Sequence, residues 1–371
     1  MPPVQTSKFD PLADRRAPDD PPFDVLLQGT VFLDIIFTGL PRMPAGGEEV
    51  WAEGMGSCPG GIANLAVAAG RLGLRTSLAA AFGDDDYGDF CWKTLLDQEG
   101  VDLGPSKRFE GWHTPVTVSV SYDDDRRMIT HGHDAPQGPT EMIGTPPRSR
   151  AVLLDLVPPH ENERQGPTWV DLAHEQGALL FADVGFDATG AWSSEVLDQL
   201  DRCHAFMPNA VEAMAYTRTR SAHEALYALA DRVPLAIVTN GGDGALAIDS
   251  TTGEEASVPA LRVPSIDATG AGDVFGAAVT LGTLAGWALA DRLAFGALCS
   301  ALAVQQFGGS LAAPGWGDIA DWWHALQASR DDTAYHRALL RRYAFLEAVV
   351  PQVPSSATRR AAATIARWSD A

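Results

Sequence analysis

Cysteine is scarce in this chain, and what there is lies scattered. The four residues, Cys58, Cys91, Cys203 and Cys299, include no C-x-x-C pair, so neither a zinc knuckle nor a disulfide framework is indicated and reduced thiols are expected. Basic residues are also short: 27 Lys and Arg stand against 48 Asp and Glu, a formal net charge of -21. A surface for nucleic acid or for an anionic membrane needs clustered cations, so neither partner is expected. No apolar run approaches the roughly 20 residues that span a bilayer, and the N-terminus lacks a basic segment followed by an apolar one. The expected location is therefore the cytoplasm. What remains is ample for a globular enzyme: 371 residues, 46% of them hydrophobic, with a mean hydropathy of -0.05.

The chemistry is expected at residues 267–275, Asp-Ala-Thr-Gly-Ala-Gly-Asp-Val-Phe. A short apolar run, 261–266, precedes this stretch, and a small-residue helical run from Val274 to about Leu289 follows it. Gly270 and Gly272 allow backbone angles that turn successive N–H groups into one concavity at the positive end of the helix, an anion hole completed by Ala271. A carboxylate at Asp273 would not help a site that only bound phosphate. Beside an anion hole it suits a base that takes a proton from a hydroxyl attacking a phosphoryl group. Two other readings of the same residues stay open: Gly270, Gly272 and Gly276 as a dinucleotide-binding variant, or a tight turn with Asp273 as a helix cap.

Taken with three further segments, the stretch resembles the signature of the ribokinase-like (PfkB) family of carbohydrate and nucleoside kinases. Those segments, in the family's order, are Pro59-Gly60-Gly61-Ile62-Ala63-Asn64, Asn209-Ala210-Val211-Glu212 and Thr239-Asn240-Gly241-Gly242-Asp243-Gly244. Together they cover roughly residues 24–314. The resemblance implies an α/β three-layer sandwich, a mostly parallel central sheet with helices on both faces, and a small β-sheet lid. It also implies ATP and Mg²⁺ as cofactors, with K⁺ as a further candidate near Asp267 and Thr269. Asp34 matches the family's early substrate aspartate and would hold the acceptor with Gly60, Gly61 and Asn64. The chain departs from the common pattern by leaving two residues rather than three between the paired glycines and the asparagine, so either the turn is shorter or Pro59 replaces the first glycine.

From residue 151 onward short apolar runs alternate with helical segments, which argues on its own for a parallel sheet with helices on both faces. Ligands sit at the carboxyl ends of such strands, where Asp155, Asn209, Thr239 and Asp273 fall, so Asp155 joins the acceptor residues. In the family the Asn209–Glu212 element belongs to the metal and phosphate region, with Glu212 acting through a metal-bound water. Thr239, Gly241 and Gly244 would pass the nucleotide, backed by a helix over 293–307, and Asp183 can reach the same cleft. Segments 38–57 and 107–133 form the expected lid, through which a homodimer is plausible, and Arg126 and Arg127 on it could meet a phosphorylated acceptor. His131 and His133, with His113 upstream, could be drawn as a metal cluster. With no supporting ligand set they are read instead as exposed or substrate-lining.

The expected organisation is a mobile arm at 1–22, a kinase domain at 23–330 and a helical, Arg-rich extension at 331–371. The expected activity is ATP-dependent phosphorylation of a hydroxymethyl group on a small sugar. A nucleoside acceptor is the nearest alternative. An NAD(P)-binding oxidoreductase or a non-catalytic ligand sensor are the readings from other classes.

Overall fold

The computed structural model describes residues 9–122, 125–157, 167–185, 187, 189–306 and 308–351. β1 (Phe23–Gln28) opens the main sheet, and β2 (Val31–Thr38) and β3 (Gly54–Gly61) then pair antiparallel outside it. α1 (Ile62–Arg71) returns the chain to β4 (Thr76–Ala79). β5 (Ala81–Gly83), α2 (Asp86–Lys93) and β6 (Lys107–Phe109) lead to the antiparallel hairpin of β7 (Val116–Tyr122) and β8 (Asp125–His131). After α3 (Pro139–Ile143) the alternation begins: β9 (Ser149–Asp155), α4 (Trp169–Glu175), β10 (Leu179–Asp183), α5 (Ser194–Leu197), β11 (Ala205–Phe206), α6 (Ala210–Thr217), α7 (Ala222–Ala230) and β12 (Leu235–Thr239). β13 (Ala245–Asp249) and β14 (Glu254–Val258) precede α8 (Ala271–Leu284), α9 (Leu289–Ala303), α10 (Gly309–Ala312), α11 (Trp316–Ala328), α12 (Ala334–Arg342) and α13 (Leu346–Val349).

The eight-stranded sheet runs β14-β13-β12-β11-β10-β9-β1-β4, parallel from β12 to β4 and antiparallel at β13 and β14. Its inner strands, β1 and β9 to β12, are largely apolar because both faces are covered, whereas the edge strand β14 is charged and exposed. Successive side chains divide between the layers. Leu26, Val152, Leu180 and Ala236 meet Trp169, Ala213 and Leu226 of α4, α6 and α7, whereas Leu27, Leu153, Phe181 and Ile237 meet Ala66, Val279 and Leu298 of α1, α8 and α9. Each large side chain so buried contributes about 1.5–3 kcal/mol. This is the three-layer sandwich expected from the alternation.

The second sheet, ordered β3-β2-β7-β8, has different bounds from the expected lid segments. The apolar run that starts at Asp24 divides between the two sheets: it breaks at Gly29 and Thr30, and Val31–Thr38 belongs to the small sheet. Residues 39–53 form neither helix nor strand, and the paired glycines close β3 rather than making a turn of their own. Hydropathy alone could not mark the change of sheet, because both halves of the run are buried.

The expected mobile arm is corrected over residues 9–22, which pack on the body; residues 1–8 lie outside the described residues. Leu12 is fully buried, and Phe9 meets Trp316 edge-on with ring centroids 5.1 Å apart. Arg16 reaches the buried carboxylate of Asp24 at 2.7 Å. A second ion pair joins Asp20 to Arg150 of β9, so apolar contacts at both Phe9 and Leu12 and two ion pairs dock this segment without any periodicity to betray it. At the other end α12 and α13 pack through Leu339, Tyr343 and Leu346, while residues 352–371, including Arg359, Arg360 and Arg367, lie outside the described residues.

One buried ion pair, Arg71 with Glu99, braces α10 against the body. Arg71, at the end of α1, donates to both carboxylate oxygens of Glu99 at 3.0 Å and to the carbonyls of Leu311 and Ala313 at 2.8 and 2.6 Å. The guanidinium fork thereby fixes α10 against α1.

Candidate active site

The glycine loop enters α8 as the sequence suggested. Asp267 is buried, and its carboxylate accepts the N–H of Thr269 at 2.9 Å and that of Gly308 at 3.4 Å, tying the loop to the head of α10. Gly270 takes φ 76°, and a Cβ there would lie 3.3 Å from Asn64 Cγ and 3.4 Å from the Gly309 carbonyl, so a side chain would be both strained and crowded. Bonding within the helix starts at the N–H of Val274, which donates to Gly270 O at 2.9 Å; the amides of Gly272 and Asp273 lie ahead of it, at the positive end of the helix. Ser300 of α9 braces the turn by donating to Ala271 O at 2.8 Å.

Asp273 is half-buried, and its Oδ2 accepts a hydrogen bond from Asn64 Nδ2 at 3.1 Å. That bond joins residues 209 positions apart, from the first turns of α1 and α8. The other atom of the Asn64 amide, Oδ1, is buried without a partner among the described residues, an acceptor available to a hydroxyl. Asp34 lies on β2 with only 7% of its surface exposed, cross-strand from Cys58 and Thr117. Its carboxylate lies directly over Gly60: a Cβ on that residue would come within 1.9 Å of Oδ2. The glycine is required because the carboxylate takes the space of a side chain. Cys58, buried beside Asp34, has its thiol pushed up to about 12, by burial first and then by the neighbouring carboxylate.

A group of acids faces this point from the sheet. Asp155 and Asp183 stand in register at the ends of β9 and β10. Asp155 is open to solvent at the strand end, and the protein packed around its carboxyl raises its pKa. Burial raises Asp183 well above its ordinary value, with Asp155, Glu212 and Asp273 adding to the effect. Glu212 is raised by burial and by Asp155. Asp183, seen only weakly in the sequence, is thus the acid that feels all the others, and no local motif announces it.

Asn209 and Glu212 form a capping box at the head of α6. Asn209 Oδ1 accepts the Glu212 N–H, and Glu212 Oε2 accepts the Asn209 N–H, both at 3.0 Å. The cap engages the Asn209 oxygen. That residue lies under Thr239, to which it is bridged by backbone, and does not line the neighbouring cavity. The expected cofactor residues Thr239, Gly241 and Gly244 do line it, as do Ala271 and Gly272 at the head of α8. The cavity has a volume of about 320 Å³, and α9 closes it with Ala297, Ser300 and Ala301. Leu261, Val263 and Ser265, between β14 and the glycine loop, form a wall that the sequence analysis did not assign. A mostly apolar slot with a helix N-terminus at one end suits a planar base carrying phosphates.

The model of the "pfkB family carbohydrate kinase" matches residues 40–315. The chain belongs to this family. Among its relatives are a ribokinase from Lactococcus lactis, 26% identical over 76% of this chain and 90% of its own length, and a nucleoside kinase from Methanothermobacter thermautotrophicus, 28% identical over 76% and 88%. The fold matches Arabidopsis thaliana ribokinase, solved with ribose and ATP, at a TM-score of 0.63 and 21% identity over 81% of this chain and 98% of that one. As a pfkB-family member the chain is a kinase of the sugar or nucleoside class.

Proposed function

We propose that this pfkB-family chain transfers the γ-phosphoryl group of ATP to a hydroxymethyl group of a small sugar, with Asp273 as the base. The observation that carries this reading is the position of Asp273. It shares the head of α8 with Ala271 and Gly272, which line the cavity, and it is bonded on its other side to Asn64. In this reading Asp34 and Asn64 hold neighbouring hydroxyls of the acceptor, with Gly60 and Gly61 leaving room for it and Asp155 closing the far side. The acceptor oxygen forms its bond to the γ-phosphorus as the bond from that phosphorus to the β–γ bridging oxygen breaks. The hydroxyl proton passes to Asp273 during attack, because a carboxylate is too weak a base to ionise an alcohol beforehand. The amides of Gly272 and Asp273 receive the charge on the transferring group, whereas the Ala271 N–H, expected to join them, is turned to the Ala268 carbonyl at 3.3 Å.

The acids fit magnesium, since hard carboxylate oxygens raised in pKa by one another are what a divalent cation relieves. Asp183 and Glu212 would hold it, chiefly through water. When bound, the ion neutralises charge on the phosphates. Both Asp267 carboxylate oxygens are engaged by amides, so the loop's backbone carbonyls are what would coordinate potassium. The small sheet would close over the acceptor and exclude competing water. Its outer face carries Phe37, Val118, Val120 and Ile129, the last 76% exposed, and this face would pair two copies as a homodimer.

Membership of a kinase family speaks for phosphoryl transfer over the NAD(P)-dependent reading. Among the described residues no helix is long and apolar enough to cross a membrane. A coupled ADP-release screen over ribose, fructose, 2-keto-3-deoxygluconate, fructose phosphates, adenosine and inosine tests the acceptor. A free sugar should exceed every nucleoside and phosphosugar in kcat/KM by at least tenfold. A nucleoside as the best substrate, or binding of ATP and sugar with no ADP released, would overturn the proposal.

A further inference from the structure

The histidines discounted in the sequence are brought together by the hairpin. Val116 pairs with His131 in the β7–β8 register, which sets His113, three residues before β7, beside His131 and His133. The His113 and His131 rings stack with centroids 5.1 Å apart and 13° between their planes, and His133 packs edge-on to both at 5.0 and 5.3 Å. One ring nitrogen from each lies within 4.8 Å of the others.

Their place in the fold gives this grouping a consequence. His113 sits on the connector that carries the chain from β6, paired to β5 in the body, into the small sheet. His131 and His133 sit where β8 leaves that sheet on the way back to the body. The two crossings already touch: the indole N–H of Trp112 donates to the Asp134 carbonyl at 3.0 Å, and a Cβ on Gly132 would lie 2.8 Å from Pro115 Cβ. The backbone therefore holds the three imidazoles near one another with no ion needed to gather them.

We infer that His113, His131 and His133 form a binding site for one divalent transition-metal ion of the zinc type, which staples the incoming and outgoing connectors of the lid. Three imidazoles favour zinc, cobalt, nickel or copper over magnesium, which prefers oxygen. Tetrahedral binding at 2.0–2.1 Å needs nitrogens about 3.4 Å apart, with water in the fourth position. His131 and His133 are exposed, so small side-chain rotations supply that closure. The site is separate from the acids of the cleft and independent of which acceptor is phosphorylated.

Zinc titration of the full-length protein against a chromophoric chelator, with cobalt as a spectroscopic substitute, tests the assignment. One equivalent should bind at micromolar or tighter affinity, and bound cobalt should give the intense visible absorption of a four-coordinate ion. His131→Gln should weaken binding at least tenfold, and the H113Q/H131Q/H133Q variant should lose this equivalent while keeping its circular dichroism. Asp183→Asn should leave the equivalent in place, separating it from the cleft. Zinc should also slow amide exchange at 111–116 and 129–135 in the parent and not in the triple variant. No stoichiometric binding, or affinity unchanged in the triple variant, would overturn the inference.

Discussion

Gly60→Ala tests how the acceptor side of the cleft is built. The added methyl carbon would stand 1.9 Å from Asp34 Oδ2, 2.2 Å from Cγ and 2.4 Å from Oδ1, so the carboxylate must move by roughly an ångström or more. It has little freedom to do so, because Asp34 is buried on a central strand of the small sheet between β3 and β7. Misplacing a positioning group by about 1 Å costs on the order of 100-fold, which is about 2.7 kcal/mol. Losing one charge-assisted hydrogen bond gives a similar figure, about 1.5–3 kcal/mol. The expected result is a fall of about 30- to 100-fold in kcat/KM for the acceptor. KM for ATP should stay within about threefold, since neither Gly60 nor Asp34 lines the nucleotide-side cavity. Coupled ADP-release kinetics with each substrate varied in turn measure both effects, and urea denaturation checks the expected stability loss of about 1–3 kcal/mol. An acceptor kcat/KM within threefold of the parent in a folded variant would refute the placement of Asp34 against the substrate.

Two further results are expected. Burial and neighbouring acids raise Asp183 above its ordinary value of 3.8, so the native state keeps a proton that the unfolded chain releases. Stability should then fall as pH rises from 3.8 toward the raised value, and Asp183→Asn should flatten that dependence and stabilise the metal-free protein at neutral pH. Thermal melts across pH with and without magnesium read this, and an unchanged slope in the variant would count against the acid group. Ile129→Lys, on the outer face of the small sheet, should leave a monomer by light scattering with its fold intact; an unchanged molar mass would remove that face as the dimer contact.

The glycine loop was legible because its geometry leaves few alternatives. A positive φ at Gly270, an approach to Asn64 and Gly309, and an acid in the first turn of a helix each demand particular residue types at fixed offsets. The layers were legible for the same kind of reason, since strands buried on both faces must be apolar throughout. Asp183 was not, because its role arises from the register of β9 against β10 and from the approach of α6, none of which is local. The Asn209–Glu212 spacing was read through its family role, yet i to i+3 is also the spacing of a capping box, and the Asn209 oxygen is engaged there. The three histidines depend on one cross-strand pairing, and the docking of residues 9–22 rests on scattered contacts of Phe9, Leu12, Arg16 and Asp20 that make no periodic pattern.

The central claim is that the Asp273 carboxylate takes the acceptor proton beside the amides at the head of α8, and Asp273→Asn tests it most directly. The asparagine oxygen can still accept from Asn64 Nδ2, so the change removes the base while keeping the shape. Single-turnover phosphoryl transfer at saturating ATP and acceptor should slow by about 10²- to 10⁴-fold, with both substrates still bound and the fold unchanged. Transfer within a few-fold of the parent rate would contradict the account.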